Sequence, residues 1–134
     1  MAMLRSVLLF FMIFSMGNAQ VDLFRKFTYT YSKRNCQALG ANLASVHNKV
    51  ENDFLLSLLP SSSKQSWGGG HDGEKEGQWL WSDGTAYDYT NWCPGEPNNH
   101  RRVENCLEIN WFSKSCWNDV ACTVSKSYVC SMGL

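Results

Sequence analysis

The segment Asn91–Asn99, with the sequence Asn-Trp-Cys-Pro-Gly-Glu-Pro-Asn-Asn, constrains the fold of this chain more than any other stretch. Pro94 and Pro97 exclude a helix and a central strand, because proline donates no backbone hydrogen bond, and Gly95 weakens either element further. The segment therefore predicts a rigid loop that holds oxygen atoms at fixed positions. This loop runs from about residue 88 to residue 105, and an irregular connection of that length in a compact domain is usually functional.

Oxygen-bearing side chains in this loop, and in a second segment at Cys116–Asp119, predict a calcium site. Both segments offer carboxylates and carboxamides, and the side chains considered as ligands all present oxygen, with no sulfur or imidazole among them for a softer metal. Hard oxygen ligands with several negative charges suit Ca²⁺. The alternative is a polar surface loop with a Pro-Gly turn, but two such segments, each beside a tryptophan and a cysteine, favour the ion. The candidate metal ligands are Glu96, Asn98, Glu104, Asn118 and Asp119.

The N-terminal residues are predicted to be a secretory signal peptide. Arg5 precedes the apolar run Val7–Phe14, and Gly17 and Ala19 precede a possible cut ahead of Gln20. A membrane anchor is the alternative, but the run is too short to span a bilayer unaided. No later segment is apolar for long enough either. We therefore expect a signal peptide at residues 1–19 and one secreted domain at residues 20–134, without a membrane span.

Charge and cysteine content narrow the function classes. Without Arg5, the 12 basic residues fall to 11, against 12 acidic residues. This balance argues against a nucleic-acid partner, which needs a clustered basic surface. Six cysteines in an exported chain indicate three disulfides. Zinc is the alternative, but no Cys-x-x-Cys pair is present, and spacing alone does not choose among the possible pairings.

Local patterns predict two helices followed by several short strands, which is an α+β fold class. The alternating segment Phe27–Tyr31 is predicted to be a strand, after which Ser32 caps a helix that ends at Gly40. Asn48, with Glu51 three residues later, caps the second helix, whose apolar stripe is Val50, Phe54, Leu55 and Leu58. Later strands are predicted from the apolar patterns that begin at Trp67, Gln78, Cys106, Val120 and Ser127.

The order of these motifs resembles the C-type lectin domain family, in its mannose-type subclass. The resemblance is carried by Glu96-Pro97-Asn98, by Glu104-Asn105-Cys106, and by Trp117-Asn118-Asp119 followed by Cys122. It extends from about Phe27 to Cys130. It implies the C-type lectin-like fold, with two helices, short antiparallel sheets and a long calcium-binding loop. The chain is similar to the short form found in fish soluble lectins and type II antifreeze proteins.

This resemblance also implies the disulfide pairing. The family's two pairs correspond to Cys36–Cys130 and Cys106–Cys122. The remaining pair, Cys93–Cys116, resembles a bridge in some fish lectins and type II antifreeze proteins, and would preorganise the ligand loop. Bonds from Cys93 and Cys116 to other chains are the alternative. One departure from the family is Gly68, at a strand position where larger residues are usual, and glycine there is expected to weaken the strand.

The family's site residues carry over by motif. Glu96 and Asn98 would supply oxygens from either side of Pro97, whose peptide bond is cis in the family. Two adjacent hydroxyls of a sugar would then complete the calcium shell. The same hydroxyls would hydrogen-bond to four of the metal ligands, namely Glu96, Asn98, Glu104 and Asn118. The order Glu-Pro-Asn, unlike the galactose-type Gln-Pro-Asp, implies mannose, glucose, N-acetylglucosamine or fucose.

An auxiliary calcium site is a further possibility that the resemblance raises. Family members with this site use four acidic positions. Asp72 and Glu76 match two of them, whereas Asn99 and Asn105 occupy the others without charge.

The predicted function is a secreted, calcium-dependent lectin for mannose-type glycans, with innate immune recognition as one setting. Single sugars should bind weakly, so oligomers would provide avidity. The alternatives are an ice-binding protein of the type II antifreeze kind and a domain that recognises protein. An enzyme is not expected, because calcium would keep Glu96 and Glu104 ionised and leave no acid for glycoside hydrolysis.

Overall fold

The computed structural model describes residues 6–9, 27–59, 65–111 and 115–132. Within these ranges it confirms the predicted α+β class, with two α-helices and seven strands. The helices are α1 (Tyr29–Ala38) and α2 (Lys49–Leu58). The strands are β1 (Ser6–Leu9), β2 (Asn42–Leu43), β3 (Ser66–His71), β4 (Leu80–Trp81), β5 (Cys106–Ile109), β6 (Asn118–Val120) and β7 (Ser127–Met132).

The strands form one mixed sheet in the order β1-β7-β3-β5-β6, with β2 on β7 and β4 on β3. Strands β3 and β7 are parallel, and the other pairs are antiparallel. Trp67 of β3 lies opposite Glu108 of β5, which in turn lies opposite Asn118 of β6. Because paired residues point to the same side of a sheet, these three side chains form one row across it.

Residues 6–9 are the described part of the predicted signal peptide. They form β1, which pairs with β7 so that Leu8 lies opposite Cys130. The rest of residues 1–19, the cut ahead of Gln20 and the start of the predicted domain lie outside the described residues. The signal peptide therefore stays a prediction, and cleavage at that point would remove β1 from the mature chain.

Helix α1 begins earlier than predicted. Its N-cap is Thr28, whose side chain accepts a backbone N–H three residues later at 3.4 Å. The expected cap, Ser32, lies inside the helix and donates its hydroxyl to the Thr28 carbonyl at 2.8 Å. The strand predicted at residues 27–31 is therefore wrong. The alternating aromatic residues serve the helix instead, because Tyr29 is buried and its hydroxyl donates to the Gly69 carbonyl at 2.8 Å.

Helix α2 starts as predicted. The side chain of Asn48 accepts the Glu51 N–H at 2.8 Å, and the Glu51 carboxylate accepts the His47 N–H at 2.6 Å. The reciprocal contacts satisfy two amides at the helix start. The predicted apolar stripe is only partly correct, because Leu55 is buried whereas Val50 is 61% exposed.

The glycine run in β3 allows neighbouring segments to pack closely against this strand. A Cβ on Gly69 would lie 2.7 Å from the Leu43 carbonyl oxygen, and one on Gly68 or Gly70 would lie within 2.9 Å of Leu107. Residues 66–70 are all buried. Absence of side chains therefore lets β3 lie close to its neighbours, and the expectation that Gly68 weakens the strand stays a prediction.

Two later strands are shorter than predicted. The pattern from Gln78 to Gly84 yields only Leu80–Trp81, and the pattern from Val120 to Val124 ends at Val120. A turn follows in the second case, since the Val124 N–H donates to the Ala121 carbonyl at 3.2 Å.

An aromatic cluster supports the start of the long loop. Trp117 is fully buried, and its ring contacts Trp81, Tyr89 and Trp92 edge-on at centroid distances of 5.7–5.8 Å. Tyr87 also packs against this core. The loop therefore begins on a rigid apolar base.

All three predicted disulfides are present. They join Cys36 to Cys130, Cys93 to Cys116 and Cys106 to Cys122. The Cys93–Cys116 bridge is internal, so the alternative of bonds to other chains was wrong. Backbone bonds reinforce this bridge, because the Cys93 N–H donates to the Trp117 carbonyl at 2.9 Å.

Candidate calcium site in the long loop

The loop turns sharply after a cis peptide bond between Glu96 and Pro97, as the family resemblance implied. Asn99 has a φ of 45°, a left-handed conformation that is uncommon for residues other than glycine. Two bonds hold this turn in place. The Asn99 side chain accepts the Glu104 N–H at 3.1 Å, and its carbonyl accepts the Arg102 N–H at 2.8 Å.

Asp119 fastens the loop to the end strand of the sheet. Its carboxylate is fully buried, accepting the Asn98 N–H at 3.1 Å on Oδ1 and the Asn99 N–H at 2.7 Å on Oδ2. Hydrogen bonds to an ionised acceptor are among the stronger ones in proteins. The two amides therefore stabilise the negative charge of Asp119 and bring the Glu-Pro-Asn segment onto β6.

Two further predicted ligands meet at the N–H of His100, and a third bonds to one of them. This single donor reaches Oε2 of Glu104 at 2.9 Å and Oδ1 of Asn98 at 3.0 Å. The amide nitrogen of Asn98 in turn donates to Oε2 of Glu96 at 3.3 Å. With Asp119, the structure thus brings four of the five predicted ligands together.

Burial, followed by the closeness of other carboxylates, determines the electrostatics of this cluster. Burial, then a hydrogen bond and the charge of Asp119, then the charge of Glu104, raise the pKa of Glu96 from 4.5 to about 7. Burial also raises the pKa of Glu104, helped by the charge of Asp119. Like charges this close disfavour ionisation. The calcium-free fold consequently loses stability from Glu96 as the pH rises from 4.5 through 7, and a bound cation would remove that effect.

The donor set fits a hard cation. Oε1 of Glu96 is buried and has no hydrogen-bond donor among the described residues, although buried acceptors normally have a partner. Across the described ranges, no three or more His, Cys, Asp or Glu side chains are grouped so as to hold a metal by themselves. An ion here would therefore depend on carboxamide oxygens in addition to the carboxylates, which is the ligand mixture calcium accepts.

Asn118, the fifth predicted ligand, is held by a residue that the sequence did not single out. Its amide nitrogen donates to Oε1 of Glu108 at 2.8 Å, and both residues are buried. Glu108 also forms an ion pair with Lys126 through Oε2, at 2.6 Å. The hydrogen bond to Glu108 engages the nitrogen of Asn118, so Oδ1 of Asn118 is the atom available to an ion. Asn118 remains a predicted ligand.

The Glu108–Lys126 pair had only a faint signal in the sequence. Glu108 is a charged residue inside the apolar pattern of β5, which can indicate a buried functional group. Lys126 gave no signal, because its role depends on the parallel pairing of β3 and β7. Its ammonium lies 5.6 Å from the Trp67 ring centroid.

The auxiliary candidates lie close to each other. Asp72 is buried, its Oδ2 accepts the Gly77 N–H at 2.9 Å, and its Oδ1 has no hydrogen-bond partner among the described residues. Burial and the neighbouring Asp72 carboxylate raise the pKa of Glu76. The Asp72 N–H donates to the Asn105 carbonyl at 3.1 Å. This cluster stays a candidate second ion site.

Comparison with known sequences places these features in a family. The sequence model of the Lectin C-type domain matches residues 25–132. Galactose-specific lectin nattectin of Thalassophryne nattereri is 40% identical over 102 residues, which cover 74% of this chain and 64% of that protein. Ladderlectin of Oncorhynchus mykiss is 43% identical over 98 residues, covering 71% and 52%. The aligned part of the chain thus spans about half to two-thirds of these relatives.

The fold is also that of solved structures. Herring type II antifreeze protein superposes with a TM-score of 0.78 at 33% sequence identity, covering 83% of this chain and 87% of the other.

Proposed function

The chain belongs to the C-type lectin domain family, and from that premise we propose that it is a calcium-dependent lectin for mannose-type sugars. The observation that carries the proposal is a buried oxygen of Glu96, which has no hydrogen-bond donor among the described residues and lies beside the carboxylates of Glu104 and Asp119. A divalent cation would neutralise this cluster. We propose Glu96, Asn98, Glu104, Asn118 and Asp119 as its ligands.

Side chains around the ion would bind the sugar. Glu96 and Glu104 would accept hydrogen bonds from two adjacent hydroxyls, while the amide nitrogens of Asn98 and Asn118 would donate to the same hydroxyls. Among the described residues, the Asn98 nitrogen makes one long bond, at 3.3 Å to Glu96. Within the same ranges, the Asn118 nitrogen gives one of its two hydrogens to Glu108 and has no acceptor for the other. Calcium would supply the charge that holds the hydroxyl oxygens.

Specificity for mannose-type sugars follows from the order of acceptor and donor. Glu96 precedes Asn98, which matches equatorial 3- and 4-hydroxyls, whereas the reversed order Gln-Pro-Asp serves galactose in the family. Nattectin is galactose-specific by name, so its preference differs from the one proposed here. The tripeptide in this chain is our reason for proposing mannose.

Reversal of the acceptor-then-donor order of Glu96 and Asn98 should change the sugar that binds. The double substitution Glu96→Gln/Asn98→Asp keeps net charge and oxygen count, so calcium affinity by calorimetry should change little. Mannose affinity should fall about 10- to 100-fold, because donor and acceptor are mismatched with the hydroxyls. Competitive elution from mannose-agarose and galactose-agarose measures the change. An unaltered preference for mannose would contradict the assigned roles of Glu96 and Asn98.

Ice binding is the second candidate function. It is favoured by the likeness to the herring antifreeze protein and by the internal Cys93–Cys116 bridge. A thermal hysteresis assay separates the two functions, because a lectin without ice affinity leaves the freezing point unaffected. Recognition of protein is the third alternative, and would leave both the sugar and the ice assays negative.

The C-type lectin family consists of binding domains, and we propose no enzymatic activity. We further propose secretion through the signal peptide at residues 1–19. Of the helices in the described ranges, none has the length and apolar character needed to cross a membrane. Since a single calcium-bound sugar buries little surface, we propose that oligomers provide avidity for glycans.

A further inference from the structure

Asn99 lies among the proposed calcium ligands without being one of them, and its backbone and side chain both form hydrogen bonds there. Its N–H donates to Oδ2 of Asp119 at 2.7 Å, and its side-chain oxygen accepts the Glu104 N–H at 3.1 Å. Its carbonyl accepts the Arg102 N–H at 2.8 Å. One residue therefore links a proposed ligand on β6 to a proposed ligand near the end of the long loop.

The backbone conformation of Asn99 restricts which residue types can form these bonds. Its φ of 45° and ψ of 51° are left-handed, and Arg101 and Arg102 follow with φ of 55° and 60°. Such backbone persists only where its surroundings hold it, and the bonds from Asn99 to Arg102 and Glu104 close this turn. Glycine, asparagine and aspartate adopt the left-handed conformation more readily than other residues. Of these three, only asparagine offers a side-chain acceptor without adding charge.

The absence of charge on the Asn99 side chain matters at this position. Burial and neighbouring carboxylates already raise the pKa of Glu96 to about 7, and burial also raises the pKa of Glu104. An aspartate here would place another negative charge beside Asp119 and Glu104, and would oppose ionisation of the cluster before an ion arrives. A carboxamide orders the calcium-free loop without that repulsion.

A second asparagine forms the same turn away from the proposed site. Asn110 has a φ of 58°, and its side-chain oxygen accepts the Ser115 N–H at 3.2 Å. As at Asn99, the acceptor and the donor are five residues apart. Within the described residues, no hydrogen bond joins Asn110 to a proposed calcium ligand. What distinguishes Asn99 is therefore the pair of ligands that it connects, and Asn110 provides a matched control.

We propose that Asn99 is a positioning residue, which holds Glu104 and Asp119 in the arrangement that calcium binds before the ion arrives. This role rests on the proposed calcium site. The side chain acts on Glu104 and the backbone N–H acts on Asp119, so this part of the loop needs no second ion to order it. Calcium then meets an assembled ligand set, and less conformational entropy is lost on binding.

Amide hydrogen exchange of the oxidised protein in EDTA tests the assembly without calcium or sugar. The Glu104 amide should be protected in the unaltered protein. Asn99→Gly keeps the left-handed backbone and removes the side-chain acceptor, so protection of that amide should fall by at least about tenfold. Asn99→Asp keeps an acceptor and should keep most of the protection. Equal protection in Asn99→Gly and the unaltered protein would overturn the proposal.

Calorimetric titration with calcium tests the consequence for the ion. Asn99→Gly should bind calcium about 10- to 100-fold more weakly, as for other residues that orient metal ligands, whereas Asn99→Asp should bind at least as well as the unaltered protein. At saturating calcium the affinity of Asn99→Gly for methyl mannoside should change little, because the ion then holds the ligands. Asn110→Gly deletes the matching bond and should leave calcium affinity unchanged.

Three results of the titration would contradict the role of Asn99. They are calcium binding by Asn99→Gly that equals that of the unaltered protein, an equal loss in Asn110→Gly, and no recovery in Asn99→Asp. Failure of the unaltered protein to bind calcium, with its Glu104 amide protected in EDTA, is a different result. It would overturn the proposed calcium site, and the positioning role with it.

Discussion

Replacement of Asp119 by asparagine should abolish retention of the protein on mannose-agarose in calcium. The carboxylate of Asp119 is fully buried and carries out two tasks at once. It accepts the N–H groups of Asn98 and Asn99, and it faces the cluster as a proposed metal ligand. A carboxamide can accept only on its oxygen, so its NH₂ group would oppose one of the two donors. The substitution therefore removes a negative charge from the ligand set of the ion, and it also loosens the loop.

Calorimetry and thermal unfolding separate these two effects. Calcium affinity should fall by at least about 100-fold, and calcium-free stability should fall by about 1–3 kcal/mol, because one buried N–H loses its acceptor. Asp53→Asn is the matched control, since it makes the same chemical change in an exposed ion pair. Calcium binding by Asp119→Asn that equals the control would contradict the proposed site.

Replacement of Lys126 by methionine should destabilise the fold by about 3–5 kcal/mol, since it leaves the Glu108 carboxylate buried without its cation. Both partners are nearly inaccessible, with side-chain exposures of 7% and 2%. Urea unfolding of the oxidised protein measures the change. Lys49→Met is the control, because its partner Asp53 is exposed and surface ion pairs contribute little to stability.

A second substitution distinguishes the two roles of Glu108. In Lys126→Met/Glu108→Leu the pair becomes apolar at similar volume, so most of the lost stability should return. Asn118, however, then lacks the acceptor that orients its amide. Calcium affinity should therefore remain about 10- to 100-fold weaker, as for other residues that orient metal ligands. Full recovery of calcium affinity in the stable double variant would contradict the positioning role of Glu108.

Local sequence signals predicted the fold well where a side chain caps its own helix. Asn48 and Glu51 define the start of α2 through contacts within one turn, so the prediction needed no tertiary information. The strand predicted for residues 27–31 was wrong because alternating aromatic residues are typical of a strand, whereas this segment leads into helix α1. Burial of Tyr29 against β3 favours the helix, and no local pattern reveals that contact.

Order of the cysteines could not determine their pairing, and the three bridges were predicted only through the family resemblance. Gly68 shows a second kind of information that the sequence lacks. Glycine in a strand is usually weakening, yet here a Cβ would collide with Leu107. The distance between two strands decides the matter, and a sequence does not contain that distance.

For the candidate site, the ligand-bearing motifs were visible because they lie in short segments of special composition. Asn98 and Glu104 meet at one backbone N–H of His100, and backbone donors have no signature in a sequence. The Glu108–Lys126 pair was missed for a related reason. Its members come from β5 and from the residue directly before β7, and the tertiary fold brings them together.

The central claim is that an ion held by the long loop binds the sugar, and its most direct test is retention of the oxidised protein on mannose-agarose. The protein should bind in calcium, and both EDTA and free mannose should elute it. Retention that EDTA does not reverse would contradict a direct calcium–sugar contact. Failure to bind either mannose-agarose or calcium, with the three disulfides intact, would contradict the lectin function itself.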